Sequence, residues 1–345
     1  MGSICSKKGK EITLEDFEVI QVISKGKNSK ISIVKEKESK QIYVLKAFNK
    51  SQIIEKGLVA NVTKERNLLI RLKSAFAVNA HCCFQNEDNL FFVMDFISGF
   101  DLFSQMQIFQ EFEENVLKFY IAELLVALED IHKLGSIHGD LKPENIMIDS
   151  NGHLCLIDFG STKLIENNLD SNSEVQLVCG TIGYIAPELL LLRNPSYSSD
   201  FYSLGAILYE FLHGLPPFYS EDKSLMAQQI IRESPLFSSQ ISKECESLLK
   251  GLLEKDPNKR LGNKGSQEIR DHIFFKDINW EQIEKKQFNP FFVPTTQFID
   301  LKFEKNILEE LELSSIITDK EQKQFQKFNF NTVLENGIIR RIDLI

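Results

Sequence analysis

The stretch that most constrains what this chain can fold into runs from Ser136 to Thr162. Two short apolar runs, Ile146-Met147-Ile148 and Leu154-Cys155-Leu156-Ile157, flank Asp149-Ser150-Asn151-Gly152, and Asn-Gly in that setting is a strong hairpin signal. A hairpin there returns Asp158 to the side of Asn145. One carboxylate and one amide oxygen then stand together, a donor set that suits a hard, octahedral Mg²⁺ bridging phosphate oxygens. Asp140, in the preceding loop, can orient a hydroxyl nucleophile, and Lys142 brings a positive charge to a phosphoryl group in transit. Residues of these types favour turns in any protein, so the weight lies on their order.

That order is His138-Gly139-Asp140, Lys142, Asn145, the hairpin, Asp158-Phe159-Gly160 and then Ala186-Pro187-Glu188. It resembles the signature of eukaryotic protein kinases, and the resemblance covers nearly the whole chain. The fold class it implies is α+β and bilobal. A small lobe of antiparallel sheet with one main helix spans 17–94, and a hinge with a large, mainly helical lobe spans 95–275. An amino-terminal segment, 1–16, precedes them, and an AGC-type tail, 276–345, follows.

Size and charge agree with two lobes plus a tail, since 345 residues exceed what one small core needs. No apolar stretch is long enough to cross a bilayer, Leu189-Leu190-Leu191-Leu192 being followed at once by Arg193. A net charge of −9 argues against nucleic acid as the main ligand and suits cationic substrates. The six cysteines show no metal-ligand pairing and no secretory leader precedes them, so a reduced cytosolic compartment is expected, with Cys82 and Cys83 as small apolar core residues. Met1-Gly2-Ser3-Ile4-Cys5-Ser6 matches the N-myristoylation pattern at Gly2. One acyl chain binds membranes only marginally, so Cys5 as a second acylation site and Lys7, Lys8 and Lys10 on anionic lipid would complete a peripheral membrane anchor.

In the small lobe, apolar alternation through Phe17, Val19 and Val22, then Ile31 and Ile33, then Tyr43 and Leu45 predicts antiparallel strands. The loop Ser24-Lys25-Gly26-Lys27-Asn28-Ser29 stands where kinases carry Gly-x-Gly-x-x-Gly over the ATP phosphates, and only Gly26 of the three glycines remains. Each added Cβ restricts the turn, which predicts looser nucleotide binding. By resemblance Lys46 grips the phosphates with Glu65 as its ion-pair partner, a spacing that fits a strand, a loop and about two helical turns. The backbone of Asp95 and Ile97 would meet adenine, with Met94 as gatekeeper and Ile23, Ile31 and Val44 completing the ATP surface.

The large lobe shows helical periodicity from Phe112 to Leu134, with Phe119, Leu124, Leu128 and Ile131 facing the core. Two departures from the family occur together. The usual arginine before the catalytic aspartate is Gly139, and the position of the activation-segment phosphothreonine is Leu177. This predicts a segment held by Val175, Leu177 and Val178 without a phosphate, although Ser171 and Ser173 offer hydroxyls nearby. The resemblance further implies that Thr181 hydrogen-bonds Asp140, that Glu188 pairs with Arg260, and that Asp200 anchors the catalytic loop. Asp101, Glu144 and Glu210 match positions at which kinases of the cyclic-AMP-dependent type receive substrate arginines.

Asn289-Pro290-Phe291-Phe292 and Phe325-Gln326-Lys327-Phe328-Asn329-Phe330 resemble parts of the AGC tail, and exposed aromatics of this kind seek a docking surface. Phe325 and Phe328 are expected to insert into the small lobe beside the Glu65 helix and to fix its position. Asn329 replaces the regulatory serine or threonine of many relatives, and residues beyond Phe330 match no family pattern. The function implied is ATP- and Mg²⁺-dependent phosphorylation of serine or threonine in arginine-containing protein substrates, with any cyclic-nucleotide control supplied by a separate regulatory subunit. The alternative is a pseudokinase scaffold, motivated by the eroded glycine loop, by Gly139 and by the small Ala80.

Overall fold

The computed structural model describes residues 12–26, 28–108, 112–165, 181–290, 293, 317–335 and 338–343. The chain divides into two compact units, the first formed by residues 1–71, 78–96 and 297–345, the second by 72–77 and 97–296. The division falls between Phe96 and Ile97, and 276–296 stays with the second unit.

In the first unit β1 (Phe17–Lys25), β2 (Lys30–Glu36), β3 (Ile42–Asn49), β4 (Ala80–Gln85) and β5 (Asn89–Asp95) form an antiparallel sheet in the order β1-β2-β3-β5-β4. Two further strands, Phe330–Glu335 and Ile338–Asp343, continue it beyond β4. β-branched and aromatic side chains pack well on a pleated surface, and Phe17, Val34, Leu45, Phe84, Phe91 and Val93 form one buried cluster. The expected alternation in β1 breaks down, because the register with β2 shifts between Val19 and Gln21 and again between Val22 and Ser24. Each shift turns the strand, and Ile20 is buried while Val19 and Val22 are only half-buried. Two helices follow β3, α1 (Lys50–Glu55) and α2 (Val59–Arg71). Asn49 caps α1 by accepting the Gln52 N–H.

The second unit is built on α3 (Glu114–His132) and α4 (Tyr197–His213). Every residue of α3 from Phe119 to Glu129 is buried, so it is a core helix rather than an amphipathic one with a single inner face. Leucine and isoleucine fill its middle, and its buried Glu123 accepts from Leu154 N and contacts His153 Nδ1 at 2.5 Å. α4 begins with a capping box at Ser196 and ends on Gly214, whose φ of 78° stops the helix in the left-handed conformation.

A small sheet in the order Gly99–Asp101, Ile146–Asp149, Leu154–Leu156 carries the expected hairpin, with Ile146 opposite Leu156. Its turn is longer than a two-residue Asn-Gly loop. Asp149 N–H closes it on the His153 carbonyl, and Asp149 Oδ1 accepts from Asn151 N and His153 N. Among the described residues no helix is long and apolar enough to cross a membrane.

Candidate active site

The loop between Ile137 and Ile146 is fixed from beneath by Asp200 of α4. Its Oδ2 accepts His138 N at 2.8 Å and meets His132 Nε2 at 2.8 Å, while Oδ1 accepts Gly139 N at 3.0 Å. Burial pushes this carboxyl upward, but the hydrogen bond and charge of His132, with the Gly139 N–H, outweigh it and hold the group below the usual carboxylate range. Asp140 N–H donates to His138 Nδ1 at 3.3 Å, which assigns the proton to Nε2 of a neutral ring. Burial lowers the His138 pKa, consistent with that neutral form, and its ring packs against Phe159 at 5.6 Å.

Four side chains above this floor are hydrogen-bonded into one cluster. Asp140 Oδ1 accepts from Thr181 N at 2.9 Å and from the Thr181 hydroxyl at 3.3 Å. Lys142 Nζ donates to Thr181 Oγ1 at 2.8 Å and lies 3.1 Å from Asp140 Oδ2. Asn145 Nδ2 donates to the Asp140 carbonyl at 2.9 Å, with Asp140 Oδ2 at 3.4 Å. A carboxylate has about four lone-pair positions, and the four contacts at Oδ1 and Oδ2 engage them all, so an incoming hydroxyl has to displace one, the 3.4 Å contact from Asn145 Nδ2 being the longest.

Asp158 is the residue after Ile157, whose N–H donates to the Asn145 carbonyl at 3.0 Å. Its Oδ1 accepts the Gly160 N–H at 3.1 Å, which sets the turn at Asp158-Phe159-Gly160. The segment beyond is tied to the catalytic loop by the pairing of Ile137 with Lys163 and of Ser136 with Leu164. Asn145 and Asp158 together offer one amide and one carboxylate oxygen, both hard donors. That set fits a hard divalent cation such as Mg²⁺, which these two residues would hold. Among the described residues no group of three or more His, Cys, Asp or Glu could hold a metal by itself.

The first unit carries the expected lysine–glutamate pair. Lys46 Nζ lies 2.7 Å from Glu65 Oε1, with the residues 7% and 3% exposed. Cross-strand register sets Lys46 opposite Ile31 and Phe92, and Val44 opposite Ile33 and Met94. Residues directly opposite, and residues two apart, share a face, so Ile31, Val44, Lys46 and Met94 lie on one side of the sheet. Ile23 is exposed on the same hairpin. Gly26 N–H donates to the Ser29 carbonyl at 2.8 Å, closing the loop tip. The Asp95 N–H donates to the Asn79 carbonyl, so of its two backbone groups the carbonyl is the one to consider for adenine. Ile97 is half-buried in the second unit.

The three acids expected to receive arginine all lie in the second unit, in different settings. Asp101 caps the helix Leu102–Ile108 through Ser104 N and Oγ, at 2.8 and 2.6 Å. Glu144 is exposed. Glu210 is buried and accepts the Tyr184 hydroxyl at 2.5 Å. Burial pushes the Glu210 carboxyl up to about 7, the Tyr184 hydrogen bond opposes this, and the charge of Glu144 adds to it. Sequence reading missed Tyr184 and His132, since neither stands in a motif that marks its partner. Glu188 forms a two-pronged ion pair with Arg260 at 2.7 and 2.8 Å, fully buried. Gly2, Cys5, Ser171, Ser173, Val175, Leu177 and Val178 lie outside the described residues.

A family model described as protein kinase domain matches residues 17–275, and the chain belongs to that family. Among curated relatives, a probable serine/threonine-protein kinase of Dictyostelium discoideum is 38% identical over 94% of this chain and 72% of its own length. The serine/threonine-protein kinase sgk-1 of Caenorhabditis elegans is 35% identical over 94% of this chain and 72% of its length. The serine/threonine-protein kinase YPK1 of Saccharomyces cerevisiae is 37% identical over 92% of this chain, which spans only 47% of that longer protein. Within the family the chain is a serine/threonine kinase of the AGC type. The pseudokinase alternative finds no support.

Proposed function

We propose that the chain transfers the γ-phosphoryl group of ATP to serine or threonine in arginine-containing protein segments. The observation that carries this reading is the joined cluster of Asp140, Lys142, Asn145 and Thr181. Asp140 accepts the hydroxyl proton and aims the oxygen, Lys142 offsets charge developing on the transferred group, and Thr181 holds both in register. When bound, Mg²⁺ neutralises phosphate charge, and Asn145 and Asp158 are the residues that would hold it. Lys46, kept in position by Glu65, orients the phosphates. Glu144 and Glu210 receive arginine, as does Asp101 through the lone pairs that Ser104 leaves on its two oxygens.

The test is transfer of labelled phosphate from ATP to an arginine-rich peptide, beside Asp158→Ala and Asp140→Asn. Each substitution is expected to lower kcat by roughly 10²–10⁴-fold, the range of a lost acid–base or charge-stabilising group. Equal turnover in the variants would defeat the reading, and an arginine-free peptide serving as well would defeat the substrate preference.

Activity without an activation-segment phosphate follows from Gly139 and Leu177, which remove sensor and signal together. Phosphatase treatment and Ser171→Asp with Ser173→Asp are expected to change kcat less than about two-fold. A change of orders of magnitude would overturn it. Myristoylation of Gly2, with Cys5 acylation and the nearby lysines, would hold the kinase at the cytoplasmic face of a membrane. Intact mass and membrane fractionation of the protein and of Gly2→Ala test this, and an unmodified Gly2 would remove it.

A further inference from the structure

Where β4 begins, it carries one residue more than the strand beside it. Ala80 stands opposite Met94 and Cys82 opposite Val93, so His81 is the extra residue of a β-bulge. A bulge interrupts the alternation of faces and re-aims a side chain. His81 Nε2 lies 2.6 Å from Oδ1 of Asp95, the last residue of β5.

Asn79, two residues before His81, meets Asp95 three times. Its carbonyl accepts the Asp95 N–H at 3.0 Å, its own N–H donates to Asp95 Oδ2 at 3.1 Å, and its Nδ2 donates to the same oxygen at 2.9 Å. From β3, Tyr43 stands opposite Asp95 and sets its ring edge-on to the His81 imidazole, with centres 4.9 Å apart. The His81 and Asp95 side chains are 19% and 31% exposed, so the contact is partly shielded from water. Burial pushes the Asp95 carboxyl up, but the hydrogen bonds from His81 and Asn79 outweigh it and hold the group below its ordinary value. With its N–H and its carboxylate both held, the N–Cα–Cβ frame of Asp95 is fixed. Rotation of ψ is then the one soft motion that aims its carbonyl.

We propose that His81 is a positioning residue for the nucleotide base: by holding the Asp95 carboxylate it aims the Asp95 carbonyl at the 6-amino group of adenine, and so sets the preference for a base that carries this donor. The proposal rests on the kinase reading, which brings adenine to Asp95. A site built to hydrogen-bond a substrate N–H rejects the analogue that lacks it. Without the His81 donor the carboxylate is held from Asn79 alone and the carbonyl is aimed less well. The phosphates are gripped elsewhere, by Lys46, so the loss falls on the base and kcat is spared once ATP saturates.

The test compares the full chain with three variants. His81→Phe keeps a ring beside Tyr43 but has no donor, His81→Gln offers an amide N–H in place of Nε2, and Asp95→Ala keeps the backbone without the carboxylate. Dissociation constants are measured by displacing fluorescent methylanthraniloyl-ATP with ATP and with purine riboside triphosphate, which is ATP without its 6-amino group. KM for ATP and kcat are measured on an arginine peptide. The parent chain is expected to bind ATP about ten-fold more tightly than the analogue, the weight of one well-aimed hydrogen bond. His81→Phe and Asp95→Ala should each cut this preference to about two-fold, by weakening ATP and leaving the analogue nearly unchanged. The double variant should be no worse than either alone, and His81→Gln should keep most of the preference. In His81→Phe, KM for ATP should rise about five-fold with kcat within about two-fold.

Equal weakening of both nucleotides in His81→Phe would show a purely structural residue and overturn the proposal. An unchanged ATP preference, additive losses in the double variant, or a glutamine variant as poor as phenylalanine would overturn it as well. Should His81→Phe fail to fold, Asp95→Ala decides by the same ratio. A full-length chain without Asp158-dependent transfer would instead overturn the enzymatic reading, leaving the ratio of the two nucleotide affinities to decide this one.

Discussion

At Gly139 the backbone turns to φ 78°, and a Cβ built there would stand 2.8 Å from the Ser161 carbonyl oxygen. The position therefore carries two penalties for any side chain, left-handed strain and a backbone clash. Gly57 has φ 66° with nothing within 4 Å of such a Cβ, so it isolates the first penalty. Gly57→Ala is expected to cost about 1–2 kcal/mol, and Gly139→Ala clearly more, in denaturant unfolding. Equal losses would mean that Ser161 yields freely. Glu210 carries a second residue-scale prediction. Its pKa of about 7 lies above the 4.5 of an ordinary glutamate. The stability tied to its protonated form is therefore present below about 4.5 and is lost as pH rises through about 7. Arginine binding needs the opposite form. On an arginine peptide kcat/KM should rise between pH 6 and 8 with a midpoint near 7, because this ratio reports the free enzyme. Glu210→Gln should give a low profile that lacks this step, and a step retained in that variant would assign the titration elsewhere.

Among elements, the join between the Ala186-Pro187-Glu188 segment and the loop at Arg260 is held by a buried, two-pronged ion pair. Arg260 meets both Glu188 oxygens and also donates to the Ser198 and Glu254 carbonyls. Removing one partner of a buried pair costs about 3–5 kcal/mol, and Arg260→Lys loses the fork that reaches several acceptors. Both Arg260→Ala and Arg260→Lys should lower the unfolding midpoint, the alanine variant by the larger amount. A lysine variant as stable as the parent would show that charge alone suffices. This join, the Lys46–Glu65 pair and the Asp200 anchor were legible because each residue sits inside a spaced motif. Other features were hidden for physical reasons. Register shifts in β1 undo a period-two reading, and all-round burial of α3 removes the polar face that marks an amphipathic helix. The terminal hairpin did leave a signal. Asn336-Gly337 stands between Val333-Leu334 and Ile338-Ile339, the same pattern that announced the hairpin before Asp158. It went unread because no family motif pointed to it.

The whole molecule carries a net charge of −9, and its proposed substrates are cationic. Three acids of the second unit are assigned to arginine, yet of these only Glu144 is exposed; Asp101 is engaged as a helix cap and Glu210 is buried. Attraction from exposed charge is screened over about 8 Å at physiological ionic strength and about 3 Å at 1 M, whereas buried pairs are screened far less. Salt should therefore separate encounter from final docking. Raising ionic strength from about 0.05 to about 0.5 M should increase KM for an arginine peptide several-fold while kcat changes little, since encounter is steered by the summed field. Glu144→Gln should flatten that slope, because it removes the solvent-facing member. Glu210→Gln should raise KM at every salt concentration and leave the slope nearly intact. Initial-rate measurements with peptides of equal length, with and without arginine, decide the matter. An equally steep slope for the arginine-free peptide would mean that salt acts on the enzyme itself, and substrate steering by charge would have to be abandoned.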